Sequence, residues 1–189
     1  MCRETSWKAI GVPVPVNPQG AIIVLDVIKA KTDPAGAIVA KVPAGCSPVR
    51  LALSPDGRTA WVTARNSNAA IAFDTAKLVQ DPQHARLTSV LVGTAPVGIA
   101  VINDRVFVTN SNRFAADPTK PQTLMVIDSS NVKAGKAQVV GTIPAGAFPR
   151  EFGKSPDGKT LFVANYLSNT LEVIDPARVQ VTPLPLQPK

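Results

Sequence analysis

A stretch of eleven residues occurs almost unchanged at two places in this chain of 189 residues. SPDGRTAWVTA runs from Ser54 to Ala64, and SPDGKTLFVAN runs from Ser155 to Asn165, 101 positions later. An internal repeat of this kind indicates one supersecondary unit that is built several times and buries its apolar faces against its neighbours. The repeat therefore constrains the fold more than any other feature of the sequence.

Three families of segments recur around this stretch in a constant order. One family alternates apolar residues and ends in aspartate, one carries a small-residue turn before a proline, and one ends in an asparagine turn. The aspartates are spaced by 48, 54 and 47 residues. The aspartates are Asp26, Asp74, Asp128 and Asp175, and the prolines are Pro48, Pro96 and Pro149.

Each repeat predicts four strands. The first strand follows the proline, and SPDG then makes a tight turn, because Pro pre-sets the first corner and Gly adopts positive φ at little cost. In the middle copy the shorter IND replaces SPDG. The second strand ends at the asparagine turn, the third ends at the aspartate, and a looser connection leads to the fourth. Four antiparallel strands in roughly 40–50 residues are typical of a β-propeller blade.

Two alternative all-β architectures fit the sequence less well. A β-sandwich also has many short strands, but it does not repeat its turn chemistry at a near-constant spacing. Leucine-rich and hexapeptide solenoids have much shorter periods. With 12 Gly, 18 Pro and many Val and Ile residues, the composition also favours short strands joined by turns. The sequence therefore predicts an all-β β-propeller.

The strand count predicts about 3.5 four-stranded antiparallel blades in an open arc. The repeat domain is assigned to 20–179, between an edge segment at 1–19 and a Pro-rich tail at 183–189. The residues after Asp175 allow one short fourth strand. The arc would be part of a larger, seven-bladed ring, or two chains would assemble into one ring, so the expected partners are the remaining blades or a second copy. The blade boundaries are 20–43 for the partial blade and 44–92, 93–143 and 144–182 for the others.

Two strand motifs carry a family resemblance. FVTN at Phe107–Asn110 and FVAN at Phe162–Asn165 resemble the signature strand of the YVTN-type β-propeller repeats. Related propellers include surface-layer proteins, lactonase-like proteins and propeller domains of redox enzymes. The resemblance implies a periplasmic or secreted location. This chain departs from the family pattern because the middle copy lacks SPDG and the first copy lacks a recognisable first strand.

The predicted ligand-binding face is formed by two sets of loops. One set joins the fourth strand of a blade to the first strand of the next, and the other joins the second strand to the third. These loops are rich in Arg and Asn and poor in carboxylates, which suits an anionic or sugar-like ligand. Arg50 and Arg150 follow the anchor prolines at near-equivalent positions. The candidate residues are Arg50, Arg65, Asn110, Arg113, Arg150, Glu151, Asn165 and Tyr166.

Several of these polar residues also have a structural interpretation. An Asn at the end of a strand commonly bonds to its own turn, and this role is favoured for Asn110 and Asn165. The SPDG aspartates and the strand-ending aspartates are predicted to cap turns. The insertion at 113–122 is either a functional loop or a tolerated surface loop.

The remaining features restrict the function class. The net charge of +7 is scattered, so no nucleic-acid partner is expected. No apolar run is long enough to span a membrane. No catalytic set, metal site or cofactor motif is found, His84 is predicted to be a surface residue, and Cys2 and Cys46 allow one bridge. The sequence favours a non-catalytic binding scaffold in an extracytoplasmic bacterial protein. The alternative is a fragment of a propeller enzyme, a lactonase-like hydrolase or a redox enzyme, whose catalytic residues lie in missing blades.

Overall fold

The strands form four antiparallel sheets that follow one another along the chain. The computed structural model describes residues 19–112, 117 and 119–182. The first sheet contains β1 (Gln19–Leu25) and β2 (Ile38–Cys46), and the second contains β3 (Pro48–Leu53), β4 (Thr59–Ala64), β5 (Ala69–Asp74) and β6 (Arg86–Leu91). The third sheet contains β7 (Pro96–Ile102), β8 (Arg105–Asn110), β9 (Gln122–Asp128) and β10 (Gln138–Ala145). The fourth sheet contains β11 (Pro149–Lys154), β12 (Leu161–Asn165) and β13 (Thr170–Ile174). The prediction of four-stranded antiparallel units in a partial β-propeller is confirmed.

Short helical segments occupy some of the connections. An α-helix, α1 (Thr75–Gln80), follows β5 where the sequence predicted only a loose connection. Asp74 provides its N-cap, because its side chain accepts hydrogen bonds from the amides of Ala76 and Lys77. The 3-10 segments within the described residues are Lys29–Lys31, Ala35–Ala37, Arg65–Ser67, Pro82–His84 and Val132–Ala134.

The two SPDG segments form matching hairpin turns. In the first, the Ser54 hydroxyl donates to Asp56 Oδ1 at 2.6 Å, and the Arg58 amide donates to the same oxygen at 3.0 Å. These bonds lower the pKa of Asp56, the Ser54 hydroxyl having the larger effect. Ser155, Asp157 and Lys159 repeat the arrangement, and both turn glycines adopt φ +69°. The predicted role of Asp56 and Asp157 as turn residues is confirmed.

The strand-ending aspartates also act as predicted. Asp26 Oδ1 accepts from the amides of Ile28 and Lys29, both at 2.9 Å. Asp128 Oδ1 accepts from the Ser130 amide and Asp175 Oδ1 accepts from the Ala177 amide, each at 2.9 Å. Each carboxylate therefore satisfies backbone amides where the chain leaves a strand.

Three apolar clusters lie between consecutive sheets. Ile22 and Val42 of the first sheet pack with Val62 and Ile71 of the second. Trp61 and Ala72, from the opposite face of the second sheet, pack with Val106 and Ile127 of the third. The third and fourth sheets meet in the same way, through a cluster that includes Phe107, Leu124, Val126, Leu161 and Val163. Each interior sheet is thus covered on both faces by its neighbours, which is how a single blade buries its apolar residues.

The two end sheets are incomplete among the described residues. The chain after Asp175 does not pair with β13 as a fourth strand. Instead Thr182 exchanges two backbone hydrogen bonds with Thr142 of β10, at 2.9 and 2.8 Å, and so borders the third sheet. Gly141 allows this approach, because a Cβ there would lie 2.5 Å from the Thr182 carbonyl oxygen. The predicted segments at 1–19, except Gln19, and at 183–189 lie outside the described residues.

Candidate functional site

Strand pairing brings the two predicted sets of loops to one end of the sheets. In the second sheet, Pro48 pairs with Ala64, Ala64 with Ala69, and Ala69 with Leu91, so all four strands share this edge. The third and fourth sheets are paired in the same register. We call this edge the loop face; it comprises residues 46–50, 65–68, 94–98, 110–112, 147–151 and 165–169.

The first strands of three sheets line a central channel. β3 contacts β7, and β7 contacts β11. The channel has a volume of about 520 Å³, and its walls include Leu51, Leu53, Ile99, Phe152 and Lys154. Ser54 and Lys154 line its SPDG end, whereas Arg50 and Glu151 directly precede the wall residues Leu51 and Phe152 at the loop-face end.

An ion pair crosses the mouth of this channel. Arg50 Nε donates to both carboxylate oxygens of Glu151, at 3.0 and 3.2 Å, and Arg50 Nη2 also contacts this carboxylate. Arg50 belongs to the second sheet and Glu151 to the fourth, so the pair spans the third. Both side chains are less than half exposed, at 42% and 44%. The hydrogen bond to Glu151 raises the pKa of Arg50.

The register shows why these two residues meet. Each first strand has an irregularity just after its proline, and the next residue resuming the ladder is Arg50 in β3 and Glu151 in β11. The equivalent position in β7 is Gly98, where a Cβ would lie 2.6 Å from the Arg150 carbonyl oxygen. Arg50 is therefore equivalent to Glu151, and Arg150 lies one position earlier in the repeat. The offset of 101 residues that relates the two SPDG stretches also relates Arg50 to Glu151.

Arg150 lies beside two aromatic rings. Its guanidinium carbon is 5.9 Å from the ring centroids of both Phe148 and Tyr166. The two rings meet edge to face, with centroids 5.8 Å apart. Tyr166 is 62% exposed. A cleft of about 650 Å³ lies against Arg150, Tyr166 and Leu171 and continues onto the outer face of the fourth sheet. The arrangement combines a cation with an exposed aromatic surface.

The two candidate asparagines are buried under the loop face. Asn110 is 6% exposed, accepts a hydrogen bond from the Gly93 amide at 2.9 Å, and donates to Thr123 Oγ1 at 2.9 Å. Asn165 is 2% exposed and donates to Thr170 Oγ1 and Glu172 Oε1. Both amides thus join neighbouring strands and connections, rather than their own turns as the sequence suggested.

Of the other residues that the sequence singled out, Arg65 and His84 are described. Arg65 begins the 3-10 segment after β4, and its amide donates to the Ser47 carbonyl oxygen at 3.0 Å. Arg113 lies outside the described residues. His84 is exposed, pairs with Asp81 at 2.9 Å, and lies at the opposite end of the second sheet.

Sequence analysis missed two residues of this region. Phe148 precedes the anchor proline with φ +54°, and Ser47 and Ala95 adopt φ of +51° and +48° at the equivalent positions. Glu172 accepts from the Gly146 amide at 2.7 Å beneath the loop face. A signal for Glu172 was present, because LEVID has a charged residue where IIVLD, IAFD and LMVID have apolar ones.

Two further findings concern metals and redox chemistry. Among residues 19–112, 117 and 119–182, no group of three or more His, Cys, Asp or Glu side chains is placed to hold a metal ion. Cys46, at the end of β2, is disulfide-bonded. The backbone amide of Cys46 donates to Ser67 Oγ at 2.9 Å, and this bond ties the first sheet to the second.

Solved structures with this fold include proteins of different activities. One is a periplasmic gluconolactonase of Pseudomonas aeruginosa, with 22% identity, a TM-score of 0.61, and coverage of 87% of this chain and 47% of that chain. Another is a proposed 6-phosphogluconolactonase of Bacteroides uniformis, with 20% identity, a TM-score of 0.62, and coverage of 82% and 43%. A third is the hydrazine synthase of Kuenenia stuttgartiensis, with 22% identity, a TM-score of 0.55, and coverage of 74% and 36%. These identities support a common fold alone, and the chain spans less than half the length of each.

The sequence itself identifies the family. No curated protein sequence matches the chain. A family model described as "Lactonase, 7-bladed beta-propeller" matches residues 20–184, which is most of the 189 residues. Apart from Gln19, the sheets described above lie within that match, and their stacking is that of propeller blades. The chain therefore belongs to the seven-bladed β-propeller lactonase family.

Proposed function

We propose that this chain binds a small anionic sugar derivative at the channel mouth of a lactonase-family propeller. The observation that carries the proposal is the pairing of Arg50 with Glu151 across the third sheet. A ligand carboxylate or phosphate can replace Glu151 as the partner of the Arg50 guanidinium, whose planar donors suit both groups. The released Glu151 would then accept hydrogen bonds from ligand hydroxyls.

The residues beside this pair support the same ligand class. Arg150 adds a second guanidinium, and Tyr166 offers an exposed ring face. Small-molecule sites typically combine apolar walls with a few convergent polar groups. The channel beneath has such walls, formed by Leu51, Ile99 and Phe152.

Lactone hydrolysis by the longer protein is the second candidate function. The family match and the gluconolactonase among the structural neighbours favour it over the non-catalytic scaffold that the sequence favoured. Glu151 is the carboxylate that would take a proton from an attacking water, once a ligand had displaced it from Arg50. Activity on a lactone and binding of the ring-opened acid would occupy the same mouth.

Further blades or a second copy of the chain would cover the end sheets. We favour further blades, because the family is seven-bladed and the described sheets number four. The FVTN and FVAN strands would then be YVTN-type repeats within a longer array.

An extracytoplasmic location is part of the proposal. The Cys46 disulfide supports it, because disulfides persist mainly in oxidising compartments. The Pseudomonas aeruginosa neighbour is itself described as periplasmic. Within the described part of the chain, no helix is long and apolar enough to cross a membrane.

Calorimetric titration of the full chain with 6-phosphogluconate and gluconate tests the binding proposal. We expect the Arg50→Ala and Arg150→Ala variants to bind about tenfold more weakly than the wild type. Arg58→Ala is the matched control, because it removes the same charge at an exposed hairpin turn on the opposite edge, and it should bind within about twofold of wild type. Absence of binding to the wild type, or equal losses in Arg58→Ala, would contradict the proposal. Release of acid from 6-phosphogluconolactone, abolished by Glu151→Gln, would support the second candidate.

A further inference from the structure

The connections that lead into the third and fourth sheets are anchored by different side chains. Gly93 and Gly146 are equivalent, since each lies three residues before its anchor proline. The Gly93 amide donates to Asn110 Oδ1 at 2.9 Å. The Gly146 amide donates instead to Glu172 Oε1 at 2.7 Å, although Asn165 is equivalent to Asn110. The two repeats thus satisfy the equivalent glycine amide with different side chains.

The displaced asparagine shows that this difference has a cost. Asn165 keeps the bond of its Nδ2 to Thr170 Oγ1, at 3.2 Å, just as Asn110 keeps its bond to Thr123. Its Oδ1 is buried and has no hydrogen-bond partner among the described residues. A buried acceptor without a partner destabilises a fold. With a carboxylate at position 172, Asn165 Oδ1 therefore lacks the hydrogen bond that Asn110 Oδ1 makes.

Glu172 is unusual for its position. Its equivalent in β9 is Met125, which is 6% exposed and packs in the cluster between the second and third sheets. Glu172 faces the third sheet from the same position and accepts both the Gly146 amide and Asn165 Nδ2, at 2.7 and 2.8 Å. The Gly146 amide is therefore held from the third strand of its sheet, by Glu172, whereas Gly93 is held from the second strand of its sheet, by Asn110.

The segment held by this anchor leads directly to the channel mouth. The Gly146 carbonyl oxygen accepts from the Gln122 amide at 3.2 Å, so the peptide is held from both sides. The Ala147 amide donates to Ser168 Oγ at 3.1 Å, and the Phe148 carbonyl oxygen accepts from the Tyr166 amide at 3.0 Å. The chain then continues through Pro149 to Arg150 and Glu151.

We propose that Glu172 is a positioning residue for the channel mouth, which holds the 146–151 segment in the register where Glu151 meets Arg50. This inference rests on the proposed function in assigning a ligand to that mouth. The position of Glu151 is independent of any ligand, so it can be measured separately.

Three substitutions at Glu172 separate its possible roles. Glu172→Met restores the β9 residue and frees Gly146 to bond with Asn165 Oδ1, as Gly93 does with Asn110. Glu172→Gln keeps an acceptor of the same reach. Glu172→Asp keeps the charge but shortens the side chain by one methylene. Leu171→Met, on the exposed face of the same strand, is the control.

The first readout is the NMR signal of the Arg50 Nε–H group, which reports its pairing with Glu151 without any ligand. We expect Glu172→Met and Glu172→Asp to shift this signal toward that of an unpaired arginine, with Glu172→Gln and Leu171→Met close to wild type. The urea midpoint of Glu172→Met should equal or exceed that of wild type, because Asn165 regains a partner. An unchanged Arg50 signal in a folded Glu172→Met or Glu172→Asp would overturn the proposal. If Glu172→Met does not fold, the Asp and Gln variants decide it.

The second readout is the affinity for 6-phosphogluconate. We expect Glu172→Met to bind about tenfold more weakly, while Glu172→Gln stays within about twofold. Unchanged affinity together with a shifted Arg50 signal would overturn the link to the ligand site. If the wild type binds no probe, the proposed function fails, and the Arg50 signal still decides whether Glu172 positions the segment.

Discussion

The third and fourth sheets are built from nearly the same residues but have different surroundings. RVFVTN and TLMVID lie in the second and third strands of the third sheet, and LFVAN and TLEVI form the second and third strands of the fourth. Leu124 is fully buried and its equivalent Leu171 is 63% exposed; Val126 is fully buried and Val173 is 66% exposed. The residues match, so their burial depends on whether another sheet follows.

The other end of the chain shows the same effect. Ile22 and Val42 of the first sheet are buried against the second, whereas Ile23 and Leu25 point outward and are 51% and 53% exposed. Single exposed apolar residues are ordinary, but contiguous patches mark interaction surfaces. An interior sheet and an end sheet thus differ in their neighbours and not in their residue pattern.

The largest expected effect compares the two equivalent leucines. Leu124→Ala should lower the free energy of unfolding by about 2 to 5 kcal/mol, because it leaves a cavity between two sheets. Leu171→Ala should change it by less than about 0.5 kcal/mol, because its side chain is exposed. Urea denaturation of the full chain measures both. A large loss in Leu171→Ala would mean that the outer face of the fourth sheet is covered in solution.

The second prediction concerns self-association through that outer face. The double variant Leu171→Lys/Val173→Lys should reduce any concentration-dependent association, because two charges would have to be desolvated on contact. Sedimentation velocity measures the change. Val79→Lys on α1 is the control, because Val79 is 51% exposed and lies outside the fourth sheet. Equal effects of both variants would show that the outer face is not the contact.

The third prediction compares two strand-ending aspartates. Asp74 caps α1 and also accepts from Lys133 Nζ of the next sheet at 3.0 Å, whereas Asp175 caps a turn next to the exposed Arg178. Asparagine caps a helix about as well as aspartate, so Asp74→Asn mainly removes the ion pair with Lys133. It should be the more destabilising change at neutral pH, by less than about 1 kcal/mol. Asp175→Asn should cost less.

The cost of Asp74→Asn should also depend on pH. Lys133, and then the Lys77 amide, lower the pKa of Asp74 from its usual 3.8. The carboxylate therefore contributes stability above pH 3.8, and this contribution is lost as the pH falls through the lower folded-state pKa. Urea midpoints of wild type and Asp74→Asn should converge in acid. A constant difference between them would contradict this account.

The smallest expected effect on stability is at the channel mouth. A double-mutant cycle of Arg50→Ala and Glu151→Ala should give a coupling of about 0.2 to 1 kcal/mol, because both side chains are partly solvated. The coupling should weaken in high salt. A coupling well above this range would mean that the pair is buried, for example beneath further blades.

Local chemistry made part of this molecule predictable. The SPDG turns and the aspartate caps depend on bonds between residues two or three positions apart, and the structure confirms them. α1 was not predicted, because its six residues carry too short a pattern to stand out. The equivalence of Arg50 and Glu151 follows from the 101-residue offset of the repeat, but their contact depends on how three sheets place the first strands beside one another.

By itself, the sequence determined the repeating unit, its strand order and the two apolar faces of each sheet, because these follow from turn residues and from alternation along a strand. Only the tertiary structure decided which faces are covered, that Thr182 borders β10, and that Arg50 meets Glu151 101 positions away. The physical reason is the distance along the chain over which each interaction acts. Turns and alternation act within a few residues, whereas burial and ion pairing depend on which sheets become neighbours.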